Sequence, residues 1–539
     1  MDIRRKPAKI IVGFLFFAFM VIGLCVYKDY GISIDEPTQR NHGIVTYRWL
    51  NRTFFDRGVL VNEGSEDLDN YESKYYGVAI QLPLVFIEDI YQVITKESMP
   101  TSNIYRMRHL YTYLIYILSL YCLYRLFHNL FGSNILGLTG VLMVYSFGRF
   151  FAHSFYNIKD MMFASLFTIS LFFAEKVISS VYEKKWCLYF SIVTAFTVSS
   201  RIVGALLAVF ILTFSIADCI FRKKKLPLAS LAILCLAYPI WLLITPASWS
   251  DPIRFSINCV STFSDYNLLE GTKLFGGQLI PNEVTPFDFY LRWMVLTIPL
   301  VYQLFSVIGI IAFLVILFKR NQEKVQIKNP LLLMVAGAVL LFTLLYQMIR
   351  QPTIYNDWRH VFFLYPILIL FAVFGLHVIF SLFSLKLRVA AAALLCLSMI
   401  YNFVMIIGNH PYEYNAYNPI GQSAAVGYEA DYWGSSIYQQ LLWIADHNSE
   451  VKSVRMHFPY RIYLRAAYLM LTEEQQNLVR IPNVDTDYQI VWISYPMDYY
   501  WIDPETGKPP VIDGYEEVNT IVSYGSKISS LYQKVDQVE

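Results

Sequence analysis

Residues 10–27 read IIVGFLFFAFMVIGLCVY, an apolar run with no charge inside it, preceded by Arg4, Arg5, Lys6 and Lys9. A helix rises about 1.5 Å per residue, so such a run crosses a hydrocarbon core with its backbone hydrogen bonds closed internally. A basic flank before an apolar stretch also marks secretory signals. This one lacks a small-residue cleavage site and is followed by many more apolar runs, so it reads as a retained first helix. Further runs lie at approximately 106–127, 133–150, 160–179, 186–200, 202–221, 226–246, 293–318, 330–349, 360–382 and 389–408. With 56% of its 539 residues hydrophobic and only 16% charged, the chain is expected to be an all-α polytopic membrane protein of about eleven transmembrane helices. The net charge of +2 is dispersed over loops and leaves no basic face for nucleic acid. Seven scattered cysteines form no close CxxC pair and suit core packing.

Placing the N-terminus in the cytoplasm puts Lys184 with Lys185, Arg222 to Lys225, Lys319 with Arg320, and Lys386 with Arg388 on the cytoplasmic side. That asymmetry predicts a multi-pass plasma-membrane protein with an extracytoplasmic C-terminus. Val78 to Ile94 is largely apolar but carries Gln81, Glu88, Asp89 and Gln92. Counting it as a crossing would reverse every later loop, so it is expected to be an amphipathic helix on the external interface. The expected organisation is a transmembrane domain over 1–408, with external loops 29–105 and 247–292, followed by an extracytoplasmic region over 409–539. The loop 247–292 is long enough to form a mobile cover over a site.

In this topology the polar loops gather on one face: Gly31-Ile-Ser-Ile-Asp35-Glu36-Pro37, His153-Ser-Phe-Tyr156-Asn157-Ile-Lys159-Asp160, Ser199-Ser200-Arg201, and Tyr355-Asn356-Asp357-Trp358-Arg359-His360. The chemistry that suits this setting is attack by a hydroxyl on an activated sugar. Asp35 would accept the hydroxyl proton, with Glu36 an alternative base or orienting partner. The same pair also suits the first turn of a helix. Lys159, Arg201, Arg359 and His360 would stabilise charge on a departing phosphate, or anchor the chain at the interface. Asp160 would orient a cation, contact a metal or cap a helix. No cofactor is read from the chain, and a divalent metal stays open.

These motifs, in this order, resemble the GT-C superfamily of polyprenyl-phosphate-sugar glycosyltransferases, in particular the branch of protein mannosyltransferases and aminoarabinose transferases. The resemblance covers residue 1 to about 435 and rests on position and combination rather than on one short motif. Ile158 stands where many relatives have proline. The resemblance implies a GT-C-like membrane fold, Asp35 as catalytic base, Asp160 as the second-loop acid, and donor-phosphate contacts from Lys159, Arg201, Arg359 and His360. It also implies inverting transfer of a hexose or related sugar from a polyprenyl-monophosphate donor to an extracytoplasmic glycan, lipid or cell-wall polymer, in contact with membrane lipid.

After the last run come His410-Pro-Tyr412-Glu413-Tyr414-Asn415-Ala-Tyr417-Asn418 and Tyr428-Glu429-Ala-Asp431-Tyr432-Trp433-Gly434. Aromatic faces cover sugar C–H surfaces and amides pair with hydroxyls, so Tyr156, Asn157, Tyr412, Asn415, Asn418, Asp431, Tyr432 and Trp433 are candidate acceptor or sugar contacts. An aromatic belt at the headgroups is the competing reading. Beyond 435, strands are expected at 451–457, 489–494 and 519–524 and helices at 436–447 and 462–470, giving a small α/β domain. Gly507 to Gly514 reads as a turn, without the spacing of a phosphate loop. A lipid-carrier flippase or transporter is the alternative, which paired broken helices or charges matched on both faces would favour. A noncatalytic scaffold is a third reading.

Overall fold

The computed structural model describes residues 5–55, 66–264, 271–318, 327–457, 461–482, 486–493 and 512–535. Arg4, Asp265, Tyr266, Lys319, Arg320, Ser494 and residues 507–511 of the expected turn lie outside the described residues, as do the side chains of Arg5 and Lys6. Among the described residues, eight helices are long and apolar enough to cross a membrane: Lys9–Val26, Thr101–Phe131, Asp160–Ser179, Ile202–Phe221, Leu300–Phe318, Pro330–Arg350, Leu364–Leu382 and Leu385–Asn409. A ninth is the pair Asn134–Tyr145 and Gly148–Tyr156, bent by 70°.

Among the described residues eight helices, or nine with the bent pair, have the length and composition of a span, which does not confirm all eleven expected runs, and the local structure of the others is short, broken or bent. The run 186–200 forms a helix, Lys184–Ser200, of 17 residues. The run 226–246 breaks into Leu228–Cys235 and Ala237–Leu243. Pro239 has no N–H to return to the Cys235 carbonyl, which is where the first piece ends. In the run 293–318, Ile298 is extended ahead of Pro299 and separates Phe289–Thr297 from Leu300–Phe318.

The break in 133–150 falls at Ser146-Phe147, where Phe147 is extended and the Ser146 hydroxyl pairs with Tyr302 Oη at 2.7 Å. His153 to Tyr156, expected in a loop, are thus the last turn of a buried helix. Asp35 likewise opens a helix, Asp35–Phe54, rather than lying in open loop. The segment expected at the interface forms the helix Leu82–Thr95, packed through Leu84, Val85 and Glu88 and exposing Phe86, Ile87, Ile90, Val93 and Ile94.

Chain direction separates the two ends of the bundle. Asp160–Ser179 and Lys184–Ser200 are joined by a tight turn and pack against each other, so Asp160 and Arg201 share one end while Lys184 and Lys185 sit at the other. Ile202–Phe221 then returns to the end that carries Arg222 to Lys225.

Within 247–292 the chain forms a helix, Pro252–Ser264, and a hairpin of β1 (Thr272–Phe275) and β2 (Gln278–Pro281). Gly276 and Gly277 both have positive φ, as a two-residue hairpin turn requires. The C-terminal part is β-rich: β3 (Lys452–Met456), β4 (Val479–Arg480), β5 (Tyr488–Trp492), β6 (Tyr515–Ser523) and β7 (Ser526–Lys534) form a sheet in the order β4-β3-β5-β7-β6. β3 is parallel to β4 and β5, and β7 is antiparallel to β5 and β6. Helix Ser435–His447 covers this sheet. Its Ile437, Leu441 and Ile444 share a core with Val454, Ile490 and Leu531, and that core reaches Ile32 and Tyr105 of the membrane part.

Helices Leu300–Phe318 and Leu364–Leu382 meet backbone to backbone at Gly309 and Gly375. A Cβ on Gly309 would overlap the Phe371 carbonyl oxygen, and one on Gly375 the Phe305 carbonyl oxygen. Small residues permit such contacts, and dispersion then holds the helices. Gly309→Val should cost about 1–3 kcal/mol through forced separation. Gly337→Ala, whose Cβ would find only ordinary contact with Phe371, should cost far less. Thermal midpoints of the detergent-solubilised variants measure the difference.

Candidate functional site

Asp35 and Glu36 enter the first turn of their helix, where free N–H groups and the helix dipole favour negative charge. The two carboxylates then part. Glu36 is buried, accepts from Ser33 N at 2.8 Å and faces His109 Nε2 at 3.1 Å. The Asp35 side chain is 25% exposed and accepts from Arg359 Nη1 at 2.9 Å. Only Asp35 is both accessible and joined to the cationic cluster, whereas Glu36 ties the helix start to Thr101–Phe131.

Arg359 is the hub. Its Nη1 also donates to Asp160 Oδ2 at 2.8 Å, so one guanidinium nitrogen joins the first-loop and second-loop acids. Arg201 Nη2 donates to the other Asp160 oxygen. Arg201 reaches it because the chain is extended there, between Lys184–Ser200 and a short turn at Ile202–Gly204. Asn157 accepts from Asp160 N at 2.9 Å and fixes the backbone from which Asp160 projects. Arg359 lies over the rings of Trp433 at 4.8 Å, Tyr355 at 5.0 Å and Tyr432 at 5.4 Å, a cage that compensates a fully buried cation.

The cluster holds three cations, Lys159, Arg201 and Arg359, against two carboxylates, Asp35 and Asp160. Burial, followed by the Arg201 charge, pulls the Lys159 ammonium down to about 8. Burial, with Arg359 and Arg201 adding to it, holds His360 well below the ordinary histidine range, so its imidazole is neutral. Four buried nitrogens, Arg201 Nε, Arg359 Nε and Nη2, and His360 Nδ1, have no hydrogen-bond partner among the described residues.

Lys159, Arg201, His360, Tyr355, Tyr290 and Tyr76 line a cavity of about 200 Å³. Val198, Ile202 and Trp241 form its apolar wall, and the same three residues line a second cavity of about 300 Å³. This second cavity runs among Ala205, Val209, Leu212 and Leu234, between the helices. A cavity lined by cations and an apolar cavity thus lie on the same wall of Val198, Ile202 and Trp241.

The turn that delivers Arg359 is strained. Asn356 and Asp357 both have positive φ, which only a few per cent of non-glycine residues adopt. Buried partners hold it: Arg149 Nη1 donates to Asp357 Oδ2 at 2.6 Å, Trp358 N to Asp357 Oδ1 at 2.6 Å, and Asn356 Nδ2 to Glu429 Oε2 at 2.7 Å. Lys273 of the hairpin donates to the carbonyls of Ile354 at 2.5 Å and Asn282 at 2.9 Å. The expected cover 247–292 is in this respect a brace. Sequence reasoning missed Arg149, Asp357, Glu429 and Lys273 in this role. Arg149 carried a signal, because an arginine inside an apolar run needs a buried partner.

Of the candidate acceptor contacts, Tyr432 and Trp433 reach the cluster through Arg359, and Asn157 through Asp160. Asn418 is taken up in capping: its Oδ1 accepts from Ile420 N and Gly421 N, and its Nδ2 donates to the carbonyls of Val295 and Ile298. Asp431 caps Ser435–His447 by accepting from Ser435 N and Ser436 N at 3.1 Å, and its oxygens also take the Ser436 and Tyr414 hydroxyls. Tyr156 is buried against Tyr414 and Trp433, Tyr412 is buried with its carbonyl accepting from Ser523 Oγ of the final hairpin, and Asn415 is buried with no partner for its Nδ2 among the described residues. Among the described residues no three His, Cys, Asp or Glu side chains are placed to hold a metal ion. Both oxygens of Asp160 are engaged by arginines, a donor set that fits a guanidinium bridge better than a divalent ion.

No protein-family model matches the chain, and no curated protein matches it in sequence. Among solved structures it is similar to ArnT from Cupriavidus metallidurans bound to undecaprenyl phosphate, at 12% identity over 96% of this chain and 98% of that one, with a TM-score of 0.47. It is also similar to the archaeal oligosaccharyltransferase AglB from Archaeoglobus fulgidus in complex with an inhibitory peptide and a dolichol-phosphate, at 12% identity over 89% of this chain and 69% of that one, with a TM-score of 0.48.

Two outcomes are expected of the turn. Asn356→Gly should keep the left-handed backbone and lose one hydrogen bond, whereas Asn356→Val should lose both and unfold at lower temperature, by about 1–3 kcal/mol. Burial pushes the Glu429 carboxyl up to about 7 against the Asn356 hydrogen bond. A raised carboxyl contributes stability in full below its unfolded value and loses it as pH rises through its folded value. Thermal stability should therefore fall between about pH 5 and about pH 8. Glu429→Gln should flatten that fall in a pH series of melting curves.

Proposed function

We propose that this chain is a GT-C-type glycosyltransferase that moves a sugar, with inversion, from a polyprenyl-monophosphate donor to an extracytoplasmic glycan, lipid or cell-wall acceptor. One observation carries the reading: buried arginine N–H groups without a partner among the described residues cluster with an accessible carboxylate, and Arg201 and Lys159 line a cavity that shares an apolar wall with a second cavity between the helices. An anion with a long apolar tail matches both parts. The phosphate would meet Lys159, Arg201 and His360, and the prenyl chain would follow Val198, Ile202 and Leu212.

In this mechanism the Asp35 carboxylate takes the proton of the acceptor hydroxyl as its oxygen attacks the anomeric carbon from the face opposite the phosphate. The bond from that carbon to the phosphate oxygen breaks, and its electron pair leaves with the phosphate. Charge growing on that oxygen is met by fixed N–H donors in a site sheltered from water, where they act most strongly. Asp160 orients Arg201 and Arg359 for this task, and Arg359 keeps the Asp35 carboxylate aimed. Glu36, buried against His109, holds the helix start. The basic clusters at the opposite end of the bundle support placing the site on the extracytoplasmic face.

The test is transfer by the purified protein in lipid from a panel of radiolabelled polyprenyl-phosphate sugars to membrane and cell-wall acceptors. Asp35→Asn should bind the donor as the native chain does and lose at least about 10²-fold in transfer, the usual loss for a general base. Arg201→Gln should raise KM for the donor. Carrier movement across vesicles without any transfer would instead establish the flippase reading.

A further inference from the structure

His42 lies seven residues after Asp35 on the same helix, two turns along and on the same face, about 10 Å further down the axis. It is fully buried, yet Nε2 has no hydrogen-bond partner among the described residues. The ring is held firmly: Nδ1 pairs with Tyr71 Oη at 2.5 Å, and the imidazole stacks on Tyr76 at 5.1 Å with the planes 7° apart. Tyr76 lines the cavity of the cationic cluster and carries the Lys159 ammonium over its ring at 4.5 Å. His42 therefore shares one aromatic ring with a candidate phosphate contact and one helix face with the candidate base.

We propose that His42 recognises the transferred sugar, its Nε2 pairing with a hydroxyl on the side of the ring remote from the phosphate. This rests on the donor reading above and adds the sugar subsite to it. The Tyr76 ring centroid lies 5.1 Å from the imidazole and 4.5 Å from Lys159 Nζ, so His42 and a candidate phosphate contact flank one ring. Burial, with the Lys159 charge adding to it, holds the imidazole neutral, down to about 3, so it offers no attraction to a second anion. The partner must be a polar neutral group. Tyr71 Oη already accepts from Asn41 Nδ2 at 3.3 Å. The phenol is then free to donate to Nδ1, leaving the imidazole proton on Nε2, while the reverse tautomer leaves Nε2 an acceptor. A hydroxyl donates and accepts, so it satisfies either form.

The experiment compares binding of undecaprenyl phosphate with binding of undecaprenyl-phosphate glucose, mannose and galactose, using the full chain in lipid nanodiscs. His42→Phe keeps a ring to stack on Tyr76 and removes both nitrogens, and His42→Gln restores one polar group. His42→Phe should weaken the sugar-bearing donor that the native chain prefers by about tenfold, and His42→Gln less. Both should bind bare undecaprenyl phosphate within about twofold of native, and Arg201→Gln should weaken all four ligands. Equal loss of bare and sugar-bearing carrier in His42→Phe, or no loss of either, overturns the assignment while leaving the donor site standing. A native chain that binds none of the four overturns the donor reading and this inference with it.

Discussion

A single guanidinium organises the site. Arg359 is fully buried and stripped of water, and such a cation persists only where charge and polarisable surface replace its hydration. Here the replacements come from four separate stretches of chain: Asp35, Asp160, Tyr355, and the adjacent Tyr432 and Trp433. None of these can shift without uncovering the charge. The two acids are therefore held in place by ion pairs to Arg359 within the fold itself.

The irregular features of the bundle serve that arrangement. The 70° bend after Tyr145 turns Gly148–Tyr156 off the line of its span, which lets Arg149 reach Asp357 and brings Tyr156 against Trp433. Asp357, so anchored, holds the left-handed turn from which Arg359 departs. Arg149 is itself covered by Trp293 and Tyr417, repeating the device of an arginine, a carboxylate and aromatic faces one step behind the first. Backbone strain next to the site persists because buried ion pairs over-determine it.

Much of this was legible in the sequence, and the failures have physical causes. Long apolar runs announced the helices, but hydropathy alone does not see where Pro239 or Pro299 interrupts a hydrogen-bond ladder. Asp35, Asp160, Arg201 and Arg359 were found because charged groups beside apolar runs demand partners, and the structure brings all four together. Asp35 and Glu36 were inseparable in sequence, since neighbours on a helix diverge by about 100° and only packing decides which one is sheltered. Asn418 and Asp431, expected as sugar contacts, are engaged in capping, and sequence does not separate the two roles because both draw on the same residue types. β7 went unnoticed because Ser529 and Ser530, buried at its centre, give it the composition of a loop.

The last span ends at Asn409, yet two of the three rings around Arg359 lie beyond it. A cut at residue 408 would thus pass between a cation and its shelter. The C-terminal part, although it carries its own sheet, contributes two of the rings that cover Arg359, and losing those rings to a protease would let water onto the cation.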